Sequence, residues 1–295
     1  MLIGELAARE LCRVDFEARV SGATSRAIYL ESREGEVLWI SPQDSAPHRR
    51  AILAPLEGLR WREGDRCGGE VKGSIASGGS ELVWGDTRVW SPSLPLGGEL
   101  SRPGARRAFG DALRTVSQRL GARGLATLWA LHDGQTRSEP PGASWLMPAC
   151  RSVVEAVEAG RAGDRSRLVR AADALIGLGE GLTPSGDDFL GGLFFLRWHR
   201  ARLAGTADSA GGVIDAWLEG IRERTTRVSH AIVADMAHGQ GPGPLHELVS
   251  ALAAGASLGV VVQRAEDVAR IGHSSGWDLL AGVAAGLGIV PAGAR

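Results

Sequence analysis

The sequence predicts an α+β protein, with an N-terminal β-barrel-like domain over residues 1–100 and a mostly α-helical domain over residues 101–295. Three observations carry this. Short alternating runs fill residues 13 to about 95, a Pro-, Gly- and Ser-rich break follows, and helical spacing dominates after it. Ordinary globular composition, 44% hydrophobic and 23% charged, supports a chain of 295 residues with a sizeable core.

In the first part, "EARVSGATSRAIYLES", "EVLWIS", "GGEVKGSIAS" and "ELVWGDTRVWSP" read as strands separated by Gly, Ser, Pro and Asp. Closely spaced strands without helical patterns favour a barrel or sandwich. Trp39, Trp61, Trp84 and Trp90 fall here, and core packing is favoured over a base-stacking surface, with Glu81 and Asp86 as acidic neighbours. "SPSLPLGGELSRPGAR" marks the boundary. Beyond it, Phe109, Leu113, Val116 and Leu120 recur at helical spacing. "GLATLWAL" fits either a strand or a buried helix, and "PPGASWLMP" reads as a second break. Helical patterns then cover residues 148–160, 164–177, 187–203, 211–226, 228–238, 244–255, 257–270 and 276–288.

Charge and composition narrow the function. A net charge of -1 gives no overall field for nucleic acid or an anionic membrane. Lys72, the only lysine, lies in "GGEVKGS" with no phosphate loop around it, which disfavours a Walker-type nucleotidase and a lysine Schiff base. Cys12, Cys67 and Cys150 are odd in number and widely spaced, so they form no disulfide framework or zinc motif. No signal peptide or membrane-length apolar run is read, and a cytoplasmic protein is expected. His230, His238 and His246 stand eight residues apart, a rotation of about 80° per step on one helix, and "GQGPGP" interrupts them. Surface or capping roles are expected for these histidines, and no metal site.

The most unusual stretch is "GLGEGLTPSGDDFLGGL", residues 177–193. Its "SGDDFLGG" is echoed 90 residues later by "SGWDLLAG", with five of eight positions identical. Ser185 with Asp188, and Ser275 with Asp278, fit a capping box, worth about 1 kcal/mol per cap. Capping does not require Gly186 and Gly276 in a first helical turn, nor alternating glycines upstream. Gly179, Gly181 and Gly186 would let bare backbone aim N–H groups at an anion beside a helix N-terminus. Gly191, Gly192 and Gly282 read instead as close helix packing. The two helix starts together form a candidate binding site. Its candidate substrate-binding residues are Gly179, Gly181, Thr183, Ser185, Gly186, Arg227, Ser274, Ser275 and Gly276, with Asp187, Asp188, His273 and Asp278 as candidate catalytic groups. The acids could orient a small anionic substrate or hold magnesium. His273 is weighed equally as a general acid or base and as a loop histidine bonded to backbone. Arg227 could neutralise a phosphate or carboxylate. Asp187 is expected to serve function more than stability, and Asp188, at the capping position, the reverse. A Ser-His-Asp hydrolase is disfavoured because no G-x-S-x-G elbow is present.

"GLGEGLTPSGDDFLGG" and "IGHSSGWDLLAG" resemble the AllH family. The resemblance spans residues 177–282. It implies a subunit of oxamate carbamoyltransferase in allantoin degradation, a branch of purine catabolism. The implied reaction moves a carbamoyl group between oxalurate and phosphate, giving oxamate and carbamoyl phosphate, with two other kinds of subunit as partners. Glu180 stands where the family pattern usually has Pro, which bears on the ligand because a carboxylate pointing inward would oppose an anion. Two other functions are expected as alternatives: a non-catalytic small-anion-binding or assembly subunit, and a metal-dependent hydrolase using Asp187, Asp188 and Asp278.

Overall fold

The computed structural model describes residues 1–13, 15–69, 73–84, 87–92, 97–130, 146–206 and 211–291. Lys72, Asp86 and residues 140–145 of the second break lie outside these. The chain forms two compact units, Met1–Ser93 and Leu94–Arg295.

In the first unit, nine strands form one sheet curled into a half-barrel. They are β1 (Leu2–Gly4), β2 (Glu17–Ala23), β3 (Ile28–Ser32), β4 (Val37–Ser41), β5 (Ala51–Leu53), β6 (Arg66–Gly68), β7 (Ser74–Ser77), β8 (Ser80–Val83) and β9 (Arg88–Trp90). Their order is β8-β7-β6-β2-β3-β4-β5-β1-β9. The β4–β5 and β1–β9 pairs are parallel and the other pairs antiparallel. Ala18 and Val20 alternate inward along β2, and Leu30, Leu38, Ile40 and Ile52 are fully buried with them. Period-2 burial is what holds this register, since a one-residue slip would put these side chains in water. Helix α1 (Glu5–Leu11) buries Leu6 and Ala7 against the same core. Trp61 is buried there, while Trp39 stacks on His48 with ring centroids 4.9 Å apart.

The second unit is helical. It comprises α2 (Pro103–Leu120), a 3-10 turn (Gly124–Ala126), α3 (Thr127–Ala130), α4 (Leu146–Ala162), α5 (Arg165–Leu175), α6 (Ser185–Leu203), α7 (Gly211–Gly220), α8 (Arg227–Ala237), α9 (Gly243–Ala254), α10 (Leu258–Ala269) and α11 (Ser275–Gly286). "GLATLWAL" resolves to the 3-10 turn and α3. Helix α4 is described from Leu146 onward and includes Pro148. Helices α6 and α11 are buried on nearly every side through their N-terminal and central turns, so they are apolar all round instead of striped. They cross where both carry glycine. A Cβ on Gly192 would strike the Leu279 carbonyl, and one on Gly282 would strike the Phe189 carbonyl. These contacts are reciprocal: 192 and 282 occupy matching positions of the two motifs, as do 189 and 279. The pair is therefore related by an approximate two-fold.

His246 departs from the expected surface or capping role. It is buried, and its Nε2 accepts from the Gly241 N–H at 3.1 Å. His230 Nε2 lies 2.9 Å from the Leu218 carbonyl, and the exposed His238 pairs with Asp215 at 3.0 Å.

Candidate functional site at the paired starts of α6 and α11

Each motif begins its helix against the end of the preceding one. A Cβ on Gly186 would run into the Leu175 carbonyl at the end of α5, and one on Gly276 into the Val268 carbonyl near the end of α10. The Gly186 N–H donates to the Leu178 carbonyl at 2.8 Å, and the Gly276 N–H to the Ile271 carbonyl at 2.9 Å. Glycine in these first turns therefore answers close packing, and both N–H groups are satisfied within the chain.

The capping boxes are not formed. Pro184 and Ser274 hold the N-cap positions, neither helix has a side-chain cap bond, and Ser185 and Ser275 lie inside the helices. With proline at one N-cap, the serine is displaced into the first turn and its hydroxyl turns across to the other helix. Thr183 Oγ1 and Ser275 Oγ are 3.1 Å apart, so the two motifs meet directly.

Three buried carboxyl groups lie at these starts. Asp187 is closed off by protein donors. Its Oδ1 accepts from the Gly177 N–H at 2.5 Å, and its Oδ2 from Ser229 Oγ at 2.6 Å and from Thr225 Oγ1. Burial raises its pKa, against the pull of Ser229, Thr225 and Gly177. Asp187 thus ties the glycine loop to the start of α8, where Thr226 Oγ1 also donates to the Leu182 carbonyl and caps the Ser229 N–H. The stability role expected of Asp188 falls to Asp187 instead. Asp187→Asn keeps size but removes one acceptor oxygen, and should cost about 1–3 kcal/mol in chemical denaturation. A denaturation midpoint equal to wild type would show that the tie is dispensable.

Asp188 and Asp278 are different. Each has an Oδ2 that is buried without a hydrogen-bond partner among the described residues. Burial lifts Asp188 well above the usual carboxylate range. The charge of Asp278 adds to that, and Ser275 and Thr183 pull against it. Asp278 is pushed up to about 7, chiefly by burial, while the Leu125 N–H and the hydroxyls of Ser185 and Ser274 pull it back. Part of the hydroxyl assistance crosses over, Ser275 of α11 serving Asp188 of α6 and Ser185 of α6 serving Asp278 of α11, while Thr183 and Ser274 serve the acid of their own motif. Two buried carboxyls close enough to feel each other's charge do not both ionise readily, so each favours the protonated form more than a free carboxyl does.

Gly124 and Leu125 belong to this site and were not identified from sequence. Leu125 N–H donates to Asp278 Oδ1 at 2.6 Å, and any Cβ at Gly124, where φ is +52°, would collide with that carboxylate. The positive φ at a 3-10 start was the only local signal, and it is invisible in an apolar run.

The remaining candidates lie further out. Gly179, with φ of +115°, backs onto Ser185, whereas Gly181, with φ of +93°, faces open space and is exposed. Glu180 is exposed too, so its side chain does not enter the carboxyl cluster. His273 is exposed, with Nδ1 3.4 Å from Arg123 Nη1, which also donates to the His273 carbonyl at 3.1 Å. Arg227 is exposed at the first position of α8. The candidates thus differ in burial: the three carboxyls are buried, Thr183, Ser274 and Ser275 are partly exposed, and Gly181, His273 and Arg227 are exposed. Among the described residues, no group of three or more His, Cys, Asp or Glu is disposed to hold a metal ion, and Asp187 turns both oxygens to protein donors.

Residues 175–287 match the family model described as oxamate carbamoyltransferase subunit AllH. The match runs from the end of α5 through α11 and contains both motifs. No curated protein and no solved structure gave a significant match to the chain. Among the described residues, no helix is long and apolar enough to cross a membrane.

Proposed function

We propose that this chain is the subunit of a carbamoyltransferase that moves a carbamoyl group between oxalurate and phosphate, and that the paired starts of α6 and α11 handle the proton of that reaction. The observation that supports this best is the carboxyl pair Asp188 and Asp278, each with an unpartnered oxygen, contributed by the two motifs of the matched segment. In the phosphorolytic direction, a phosphate oxygen attacks the carbamoyl carbon and the bond from that carbon to the oxamate nitrogen breaks. The departing nitrogen needs a proton. A carboxyl group that titrates near neutrality can give it, and can take it back in the reverse direction. Thr183 and Ser275, partly exposed and within reach of Asp188, would pass the proton outward while binding the anionic groups. Other subunits complete the enzyme in this reading.

The burial of all three acids favours a second reading, a binding or assembly subunit that holds a small anion on the hydroxyl layer without chemistry. Phosphate-dependent release of oxamate from oxalurate separates the two. We expect turnover from the chain combined with its partner subunits, with loss of at least about tenfold in Ser275→Ala. A complete set of subunits that binds oxalurate but releases no oxamate would leave only the second reading. Turnover abolished by chelation and restored by magnesium would point to metal-dependent chemistry.

A further inference from the structure

A second feature lies at the other end of α6. A cavity of about 380 Å³ is lined there by Arg165, Arg197 and Arg200, with Leu168, Phe194 and Ile214 among its apolar walls. Arg197 and Arg200 stand nine and twelve residues beyond Asp188 on α6, roughly 13 and 18 Å along the helix. The cavity is therefore separate from the carboxyl pair, and a ligand bound in it is independent of the carbamoyl-transfer reading.

Two of these arginines, Arg197 and Arg200, line the cavity from α6. Among the described residues, neither Arg197 nor Arg200 is ion-paired with a carboxylate. Arg197 Nη1 reaches only the Gly160 carbonyl, at 3.5 Å, the outer limit of a hydrogen bond. Arg200 Nη1 donates to the Gly286 carbonyl at the end of α11, at 2.8 Å. Burial, followed by the positive charges of Arg200 and Arg165, depresses the Arg197 pKa, as expected for clustered guanidinium groups. The only acid lining the cavity among the described residues is Asp215, which His238 holds at 3.0 Å. A half-buried guanidinium with this little compensation is costly unless an anion joins it. The walls add a second requirement. Val213 lines the cavity yet is 47% exposed, and Phe194, Leu168 and Ile214 present apolar surface beside the charges. The volume lies within the range of small-molecule sites.

We propose that this cavity binds a small organic anion with a flat apolar body, of the aryl phosphate or aryl carboxylate class, its charged group on Arg197 and Arg200 and its body against Phe194, Leu168 and Ile214. A guanidinium fork suits such a head group, and Arg165 at the start of α5 adds charge at the mouth.

Calorimetry on the full chain with phenyl phosphate tests this. We expect saturable binding to wild type, at least about tenfold weaker with inorganic phosphate, and a loss of at least about tenfold in Arg197→Met. Arg197→Met should melt no lower than wild type, because it removes a poorly compensated charge and keeps the apolar stem. Arg165→Gln, at an exposed position, gives a second variant expected to weaken binding without affecting the fold. Absence of saturable phenyl phosphate binding to wild type would overturn the proposal. So would binding unchanged in both folded variants, or inorganic phosphate binding as tightly as phenyl phosphate.

Discussion

Gly282→Val is expected to destabilise the helical unit by about 3 kcal/mol or more and to lower its melting temperature by roughly 10 °C. A Cβ at Gly282 would strike the Phe189 carbonyl oxygen, and would lie 2.6 Å from the Leu193 nitrogen and 3.0 Å from the Gly192 carbonyl carbon. All three obstacles are backbone atoms of α6, so no side chain can swing aside. Relief requires the two helices to part, and both are buried through this crossing. Separation would also pull apart the motif starts that hold Thr183 against Ser275. Gly259→Ala in α10 is the control, since a Cβ there meets nothing within 4 Å. Its stability should equal or slightly exceed wild type. Thermal melts of both variants check this. A Gly282→Val protein melting within two or three degrees of wild type, roughly the scatter of a neutral substitution, would show that the crossing has room to adjust.

Asp278→Asn should trade activity for stability above neutral pH. The folded protein holds a proton on Asp278 up to about pH 7, whereas the unfolded chain releases it near the ordinary value of 3.8. Between these values the native state binds more protons than the unfolded state, so stability falls as pH rises. The contribution is fully present below about pH 4 and is lost as pH passes 7. At pH 8 the variant should be more stable by a few kcal/mol, given about 1.4 kcal/mol per pH unit of displacement. Asparagine can keep the bond from Leu125 through Oδ1. Asp188, raised in the same direction and partly by the charge of Asp278, adds a slope of the same sign, so the difference between wild type and variant reports Asp278 together with its effect on Asp188. Urea denaturation at pH 4, 6 and 8 measures that difference. In the assembled enzyme, loss of the proton donor should lower kcat by about 10²- to 10⁴-fold. A variant that is stabilised at pH 8 and fully active would remove Asp278 from the chemistry and leave it as a buried structural carboxyl.

Much of this was legible along the chain. Several of the C-terminal helices show as 3.6-residue apolar spacing, while α6 and α11 show as nearly continuous apolar runs. The echo of "SGDDFLGG" in "SGWDLLAG" pointed to two matching helix starts, because residues in the first turn of a buried helix are constrained from several sides at once. Gly192 and Gly282 read as packing glycines, and both stand at the crossing. The adjacent acids were harder. Asp187 and Asp188 sit side by side in the same turn, and the capping-box spacing assigned the stabilising role to Asp188 although no such box forms. Successive positions on a helix point about 100° apart. One therefore faces Gly177 and α8, where donors saturate it, and the other faces α11, where Asp278 waits with no donor for its second oxygen. Gly186 and Gly276 were equally ambiguous. An open N–H cradle and a close helix contact both ask for glycine, and only the positions of the Leu175 and Val268 carbonyls show the second use.

By itself the sequence determined the α+β class, the strand-rich start, the helical remainder and the pair of glycine-bearing motifs, because periodicity, turn residues and small residues are local properties. The tertiary structure alone decided that Thr183 meets Ser275, that Leu125 reaches Asp278 across 153 positions, and that Asp188 and Asp278 are buried within reach of each other's charge. Those contacts, and the proton affinity they create, depend on how two buried helices cross, and a crossing is set by the packing of their whole surfaces.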